Sequence, residues 1–170
     1  MKYKIVICLL VLISIAKAQK SATPTNEFTI SGDVKAPLKF SLKFATGFTS
    51  HSIDSVVIYN HLKERKRAIY NIKGILLKDV LEKAGLKEDK PKLFSEFYFT
   101  CIASDGYKVA FSWNELFNTD IGNSAIIITE EEGKKAETID DHIAVLSPLD
   151  KATGRRYVQN LQEIKVERVK

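Results

Sequence analysis

The strongest constraint on the fold is a strand, a turn and a second strand between residues 97 and 111. Apolar side chains recur at every second position in residues 97–103, as expected for a strand with one buried face. Asp105 and Gly106 then supply the residue types that a tight turn needs, and residues 107–111 return in the opposite direction. This segment predicts an antiparallel hairpin, so the chain must contain a β-sheet.

The same kinds of pattern predict strands along most of the chain, with a turn at Gly32 and Asp33 and a charged turn around Gly133. The polar loop 61–67 is expected to join two of these strands as a second hairpin. The further predicted strands are residues 28–30, 38–42, 56–59, 68–72, 125–129, 142–146 and 161–166.

The clearest helix is marked by the spacing of Leu77, Val80, Leu81 and Ala84, which places these four side chains on one helical face. Gly85 follows where a helix end favours a residue that can adopt positive φ. No Ser, Thr, Asp or Asn stands just before this helix to cap it.

A second, shorter helix is predicted over residues 113–117, because Ser112 and Glu115 have the spacing of a capping box. Many short strands with two or three short helices predict an α+β domain with a mixed sheet.

The N-terminus has the features of a secretory signal peptide. Lys2 and Lys4 precede an apolar run at residues 5–15, and Ala16 and Ala18 occupy the two positions that a signal peptidase reads. We therefore expect cleavage after Ala18 and a periplasmic or secreted protein. The apolar run is too short to span a bilayer comfortably, so no stable membrane anchor is expected.

The expected mature chain consists of a polar, flexible leader at residues 19–27 and one domain at residues 28–170. Loss of three lysines with the signal peptide lowers the net charge from +5 to +2, which gives no case for nucleic-acid binding. Cys101 is then the only thiol, so an internal disulfide or a cysteine-based zinc or iron–sulfur site is excluded. Its place on an alternating strand favours burial in the core.

Four segments, taken in order, resemble the oxidoreductase molybdopterin-binding domain, which is the fold of sulfite oxidase. They are residues 28–42, 73–86, 104–112 and 147–158, and they contain the Gly74 to Leu86 helix and the Asp105-Gly106-Tyr107 turn. The resemblance implies one sulfite-oxidase-like domain with a mixed sheet and a few short helices. It also implies a molybdenum-ligating cysteine just upstream of residues 73–86 and molybdopterin as the family's cofactor.

The stretch that matches that cysteine is Ile58, Tyr59, Asn60 and His61, and none of these side chains is a thiol. A thiolate is a soft, strongly donating ligand, which these side chains do not replace. We therefore predict a reduced member of the fold, with no catalytic residues, no metal ligands and no required cofactor. Molybdopterin remains a candidate only through the resemblance.

A ligand-binding surface is predicted near the former cofactor position, since arginine forks and other basic groups match phosphate, sulfate and carboxylate. Its members are Asn60, His61, Tyr107, Lys151, Arg155 and Arg156. Each has a structural alternative. Arg155 and Arg156 would serve equally in an ion pair with Asp150 or Asp105, and His61 would serve as part of a solvated hairpin loop.

Two classes of function follow. The first is an exported, non-catalytic protein that binds a small anionic or pterin-like ligand, or docks an envelope protein. The alternative is a molybdenum-cofactor-dependent oxidoreductase of the sulfite oxidase type, with its metal anchored by the pterin alone or by another residue. A purely structural envelope protein is a third reading, which a large exposed apolar patch would favour.

Overall fold

A computed structural model describes residues 21–169; the expected signal peptide, residues 1–18, lies outside the described residues. The strands are β1 (Glu27–Gly32), β2 (Leu38–Ser41), β3 (His51–Tyr59), β4 (Arg65–Leu76), β5 (Phe97–Ala103), β6 (Lys108–Ser112), β7 (Ile126–Glu131), β8 (Lys134–Lys135), β9 (Ala144–Leu146), β10 (Tyr157–Val158) and β11 (Leu161–Arg168). The α-helices are α1 (Leu42–Ala45), α2 (Leu77–Ala84) and α3 (Trp113–Asn118). Short 3-10 segments lie at Pro91–Glu96, Asp120–Asn123, Ala136–Thr138 and Thr153–Arg156.

The first sheet has the strand order β2-β1-β11-β5-β6. The β1 and β11 strands run parallel and every other neighbouring pair is antiparallel, so the predicted mixed sheet is confirmed. The predicted hairpin is β5 and β6, in which Cys101 pairs with Val109. In its turn, Gly106 has a φ of 89° and the Asp105 carboxylate accepts a hydrogen bond from the Tyr107 N–H at 2.8 Å.

The second sheet has the order β10-β9-β7-β4-β3, with β8 paired to β7. Its β3–β4 hairpin matches the predicted pair, but both strands are longer and the loop shrinks to residues 60–64. Pattern reading missed these extensions because β3 is an edge strand and Arg65, Lys66 and Arg67 are exposed. These residues belong to strands because their backbone groups pair, and such pairing does not require side chains that alternate between apolar and polar.

The two predicted helices are present. Leu77, Val80, Leu81 and Ala84 are the buried face of α2, and Gly85 follows with a φ of 63°. As expected, no side chain caps the start of α2.

At α3 the capping box is complete. The Ser112 hydroxyl accepts from the Glu115 N–H at 3.1 Å, and the Glu115 carboxylate accepts from the Ser112 N–H at 2.8 Å.

A large apolar cluster joins the inner face of the first sheet to α2, α3 and part of the second sheet. Cys101 is fully buried within it, which confirms its predicted place in the core. A second, smaller cluster covers the opposite face of the second sheet and includes Val56, Ile69 and Tyr157. Within residues 21–169, no helix is long and apolar enough to cross a membrane.

Several other strand boundaries also differ from the predictions, and two of them have a clear local cause. Leu42 begins α1 instead of ending a strand, because the Ser41 hydroxyl caps the next turn by accepting from the Phe44 N–H. The strand predicted from His142 begins only at Ala144, since His142 lies in a turn with a φ of 48°. The two-residue strand β10 was not predicted, because so short a strand has no periodicity.

Part of the expected leader is attached to the domain by hydrogen bonds. The Thr23 N–H donates to the Ser104 hydroxyl at 2.8 Å, and that hydroxyl donates to the Thr23 carbonyl at 2.7 Å. Strand β1 begins at Glu27, one residue before the predicted start of the domain. The predicted flexibility of residues 19–27 in solution stays a prediction.

Candidate ligand-binding site

The segment Thr153–Arg156 lies against the outer edge of β3. The Thr153 hydroxyl accepts a hydrogen bond from the Tyr59 N–H at 2.9 Å and donates one to the Val57 carbonyl at 2.7 Å. At Gly154, a Cβ atom would lie 2.8 Å from the Tyr59 carbonyl oxygen, so this close approach requires glycine. The structure thus brings together two regions that lie far apart in sequence.

We call the resulting surface the binding face: the end of β3 with its hairpin loop, residues 59–64, and the loop of residues 147–156. It contains five of the six predicted ligand-binding residues, and Tyr107 adjoins it. The Tyr107 hydroxyl donates to the Arg155 carbonyl at 2.6 Å, although the Tyr107 side chain is substantially exposed.

Asn60 shapes the hairpin loop. Its Oδ1 accepts from the Leu62 N–H at 2.9 Å and the Glu64 N–H at 3.0 Å, and its Nδ2 donates to the Glu64 carboxylate at 2.8 Å. These bonds stabilise the positive φ of 61° at Lys63. Asn60 therefore acts on the loop conformation, and His61 is left exposed on the loop.

Arg156 is held by carboxylates. Its Nε and Nη2 donate to Asp150 at 2.7 and 2.5 Å, and its Nη1 donates to Glu115 at 2.8 Å. Its guanidinium also lies 4.4 Å from the centre of the Phe111 ring. The ion pair with Asp150, one of the two predicted alternatives, is the arrangement found within the loop 147–156. The bond from Arg156 to Glu115 fastens this loop to α3.

The charges in this network support each other. The hydrogen bonds that Arg156 donates to Asp150 raise the pKa of Arg156. Burial alone would raise the pKa of Glu115, but bonds from the Ser112 backbone and from Arg156 outweigh it and lower that pKa. Both groups are therefore charged at neutral pH, and Nε, Nη1 and Nη2 of Arg156 each already donate to a carboxylate.

Lys151 and Arg155 differ from Arg156. Both side chains are exposed, and neither forms an ion pair with any residue in the described range 21–169. Both belong to the loop whose Thr153 and Gly154 contact Tyr59, the residue just before Asn60 and His61. Lys63, Lys151 and Arg155 are the basic side chains of the binding face that are exposed and form no ion pair with residues 21–169. The exposed His61 side chain lies in the same hairpin loop as Lys63.

The residues that the resemblance aligns with the metal-ligating cysteine do not fit a thiolate-bound molybdenum centre. Tyr59 offers its N–H to Thr153, and no thiol lies in residues 58–61. Cys101 is buried in the core, and burial raises its pKa to about 12, so it stays a protonated thiol. Among the described residues, no three His, Cys, Asp or Glu side chains are grouped to hold a metal ion.

A second polar network was not predicted. The Tyr157 hydroxyl donates to the Asp141 carboxylate at 2.5 Å, and Arg67 and Gln159 also donate to Asp141. Burial and the neighbouring carboxylate raise the pKa of Tyr157, so its phenol keeps its proton. The network joins β4, β10 and the turn before β9, which identifies its role as structural.

Sequence reasoning also missed Thr153 and Glu115 as partners across the binding face. Glu115 carried a signal for helix capping, and nothing in its local sequence indicated a bond to Arg156, 41 positions away. Thr153 bonds to strand residues 94 and 96 positions away, and a lone threonine in a loop carries no signal of such a contact.

No family model matches the chain, and no curated protein matches it. Among solved structures, the chain is similar to the sulfane dehydrogenase SoxCD from Paracoccus pantotrophus, with a TM-score of 0.57 and 12% sequence identity. The match covers 90% of this chain and 40% of the SoxCD chain. The likeness shows the fold: the domain has the sulfite-oxidase-like α+β architecture predicted from the sequence.

Proposed function

We propose that this chain is an exported, non-catalytic binding protein on the sulfite-oxidase-like fold, and that it binds a small anion. The observation that carries the proposal is the contact of Thr153 with Tyr59, which places exposed Lys151 and Arg155 beside the hairpin loop that carries His61. Cationic side chains on a preformed surface attract phosphate-, sulfate- or carboxylate-type groups.

The structural roles of Arg156 and Asn60 refine this proposal. Arg156 is fixed by its bonds to Asp150 and Glu115, and Asn60 by its bonds within the hairpin loop, so both are assigned to supporting the surface. Arg155 and Lys151 are the residues proposed to contact the anion. A pterin-like ligand would reach the same cations through its phosphate.

Titration of the purified protein with sulfite, sulfate and phosphate, followed by NMR amide shifts, tests this proposal. We expect shifts at residues 59–64 and 151–156, and we expect Arg155→Ala and Lys151→Ala each to weaken binding. The matched control is Lys92→Ala, an exposed lysine in the Pro91–Glu96 segment. Unchanged affinity in both binding-face variants would refute the assignment.

A second candidate is a molybdenum-cofactor-dependent oxidoreductase, which the likeness to a sulfane dehydrogenase favours. It is tested by producing the protein in a host that makes molybdenum cofactor and measuring bound molybdenum and pterin. Near-stoichiometric molybdenum and pterin would establish the oxidoreductase and overturn the non-catalytic proposal. Pterin without metal would identify a cofactor carrier. The absence of both molybdenum and pterin would support a repurposed fold.

A further inference from the structure

A separate apolar pocket of about 250 Å³ lies between the end of α2 and α3. Aromatic rings form much of its wall. Trp113 and Phe117 are stacked, with ring centres 5.3 Å apart and an interplanar angle of 17°, and Phe94 lies 5.7 Å from Trp113. Leu81 and Leu86 contribute from the side of α2. None of these residues belongs to the binding face.

The charged groups at the rim are engaged elsewhere. The Lys35 ammonium bonds to Asp89 at 2.7 Å, and the Glu88 carboxylate accepts from Arg168 and from two backbone N–H groups. Glu82 also lines the pocket, but its side chain is exposed to solvent, whereas the charges of Lys35 and Glu88 are paired. The aromatic and aliphatic side chains therefore form the part of the wall that is shielded from water.

We propose that this pocket binds a neutral, planar molecule of one or two fused rings. The volume suits such a molecule, because an apolar cavity of about 150 Å³ is enough to take up benzene, and pockets for drug-sized ligands start at about 300 Å³. The rings of Phe94, Trp113 and Phe117 line the pocket, and aromatic rings prefer offset-stacked or edge contacts with other rings.

Indole is a suitable probe, and its binding is measured by NMR titration of the purified protein. We expect shifts at the amides of residues 81–86 and 113–117 and at the single Trp113 indole N–H, with a Kd on the order of 1 mM or tighter. Absence of these shifts up to the solubility limit of indole, or shifts confined to other surfaces, overturns the proposal.

A pocket-filling variant sharpens the test. Leu86→Trp places a large ring at the pocket wall and is expected to weaken indole binding by about tenfold or more. Tyr70→Trp is the matched control, since Tyr70 is 47% exposed on β4 and lies in neither the pocket nor the binding face, and it should bind indole like the wild type. Equal indole binding by both variants contradicts the assignment of the indole site to this pocket. If Leu86→Trp does not fold, the residues whose amide signals shift in the wild type decide whether indole binds there.

Discussion

The Arg156 guanidinium donates two hydrogen bonds to the Asp150 carboxylate, of 2.7 Å from Nε and 2.5 Å from Nη2. Both side chains are largely buried, with 16% and 13% of their surface exposed. Adjacent Arg155 is exposed and has no ion pair among residues 21–169. Of these two neighbouring arginines, Arg156 is held by carboxylates, and Arg155 is the one that we propose to contact the ligand.

We expect Arg156→Ala to lower the free energy of unfolding by about 2 kcal/mol or more, because Asp150 is left as an uncompensated, largely buried charge. Urea denaturation measures the effect. Arg155→Ala is the matched control and should change stability by less than about 0.5 kcal/mol. Equal destabilisation by the two substitutions would contradict the separation of roles.

Thr153→Val should destabilise the protein by about 1–3 kcal/mol, since the nearly isosteric side chain leaves the Tyr59 N–H and the Val57 carbonyl without their partner. Thermal or urea unfolding reports the loss. In the control Thr138→Val, the exposed hydroxyl bonds only to the Lys135 carbonyl, so a much smaller effect is expected.

The Thr153→Val variant should also loosen the binding face. Amide hydrogen exchange is expected to become faster at Tyr59 while exchange in β5 is unchanged. Unaltered protection at Tyr59 would show that Thr153 does not hold the loop against β3.

Cys101 should react very slowly with a thiol reagent in the native protein at pH 8 and rapidly in urea. Its side chain is fully buried, so the reagent cannot reach the sulfur atom. Burial also raises its pKa to about 12, so the thiol is protonated at pH 8 and little of the reactive thiolate is present. The time course of reagent consumption checks this expectation. Fast reaction without denaturant would be incompatible with the described core.

The thiol count in urea also tests processing. Two thiols per chain are expected for the precursor, which contains Cys8 and Cys101, and one thiol after cleavage at Ala18. A mass spectrum of the exported protein identifies the new N-terminus directly.

Glu131 should make the protein less stable as pH rises. Burial, the first cause, and the nearby Asp141 carboxylate raise its pKa in the folded state above the ordinary value, although Arg67 opposes them. The folded state then holds this proton more tightly than the unfolded state, so stability falls as pH rises through the interval between the two pKa values.

Glu131→Gln removes this dependence. The free energy of unfolding of the variant, minus that of the wild type, should be larger at neutral pH than at about pH 4, where the unfolded carboxyl is roughly half protonated. Urea unfolding at the two pH values gives the difference, and Glu137→Gln, at an exposed position, is the control. A gain that is the same at both pH values would rule out the charge explanation.

Much of the fold was predictable because its signals are local. The spacing of Leu77, Val80, Leu81 and Ala84, the Asp105-Gly106 turn and the Ser112–Glu115 box each depend on residues within a few positions of one another. The extensions of edge strand β3 at residues 51–55 and of β4 at residues 65–67 were missed, because these residues are held by backbone pairing and their side chains, largely exposed, need not alternate.

The candidate site was only partly predictable. The sequence supplied the residue types of the binding face and offered Asp150 as one of two ion-pair partners for the arginines, but it could not separate Arg155 from Arg156.

The apolar alternation of the strands, the buried face of α2 and the lack of a thiol in residues 58–61 can be read from the sequence alone, since each depends on consecutive or nearby residues. Which side chains form hydrogen bonds or ion pairs is known only from the tertiary structure. Thr153 meets Tyr59, and Glu115 meets Arg156, through contacts that chain topology creates between distant segments. A side chain's chemistry is local, whereas its availability depends on which neighbours the fold brings within hydrogen-bonding distance.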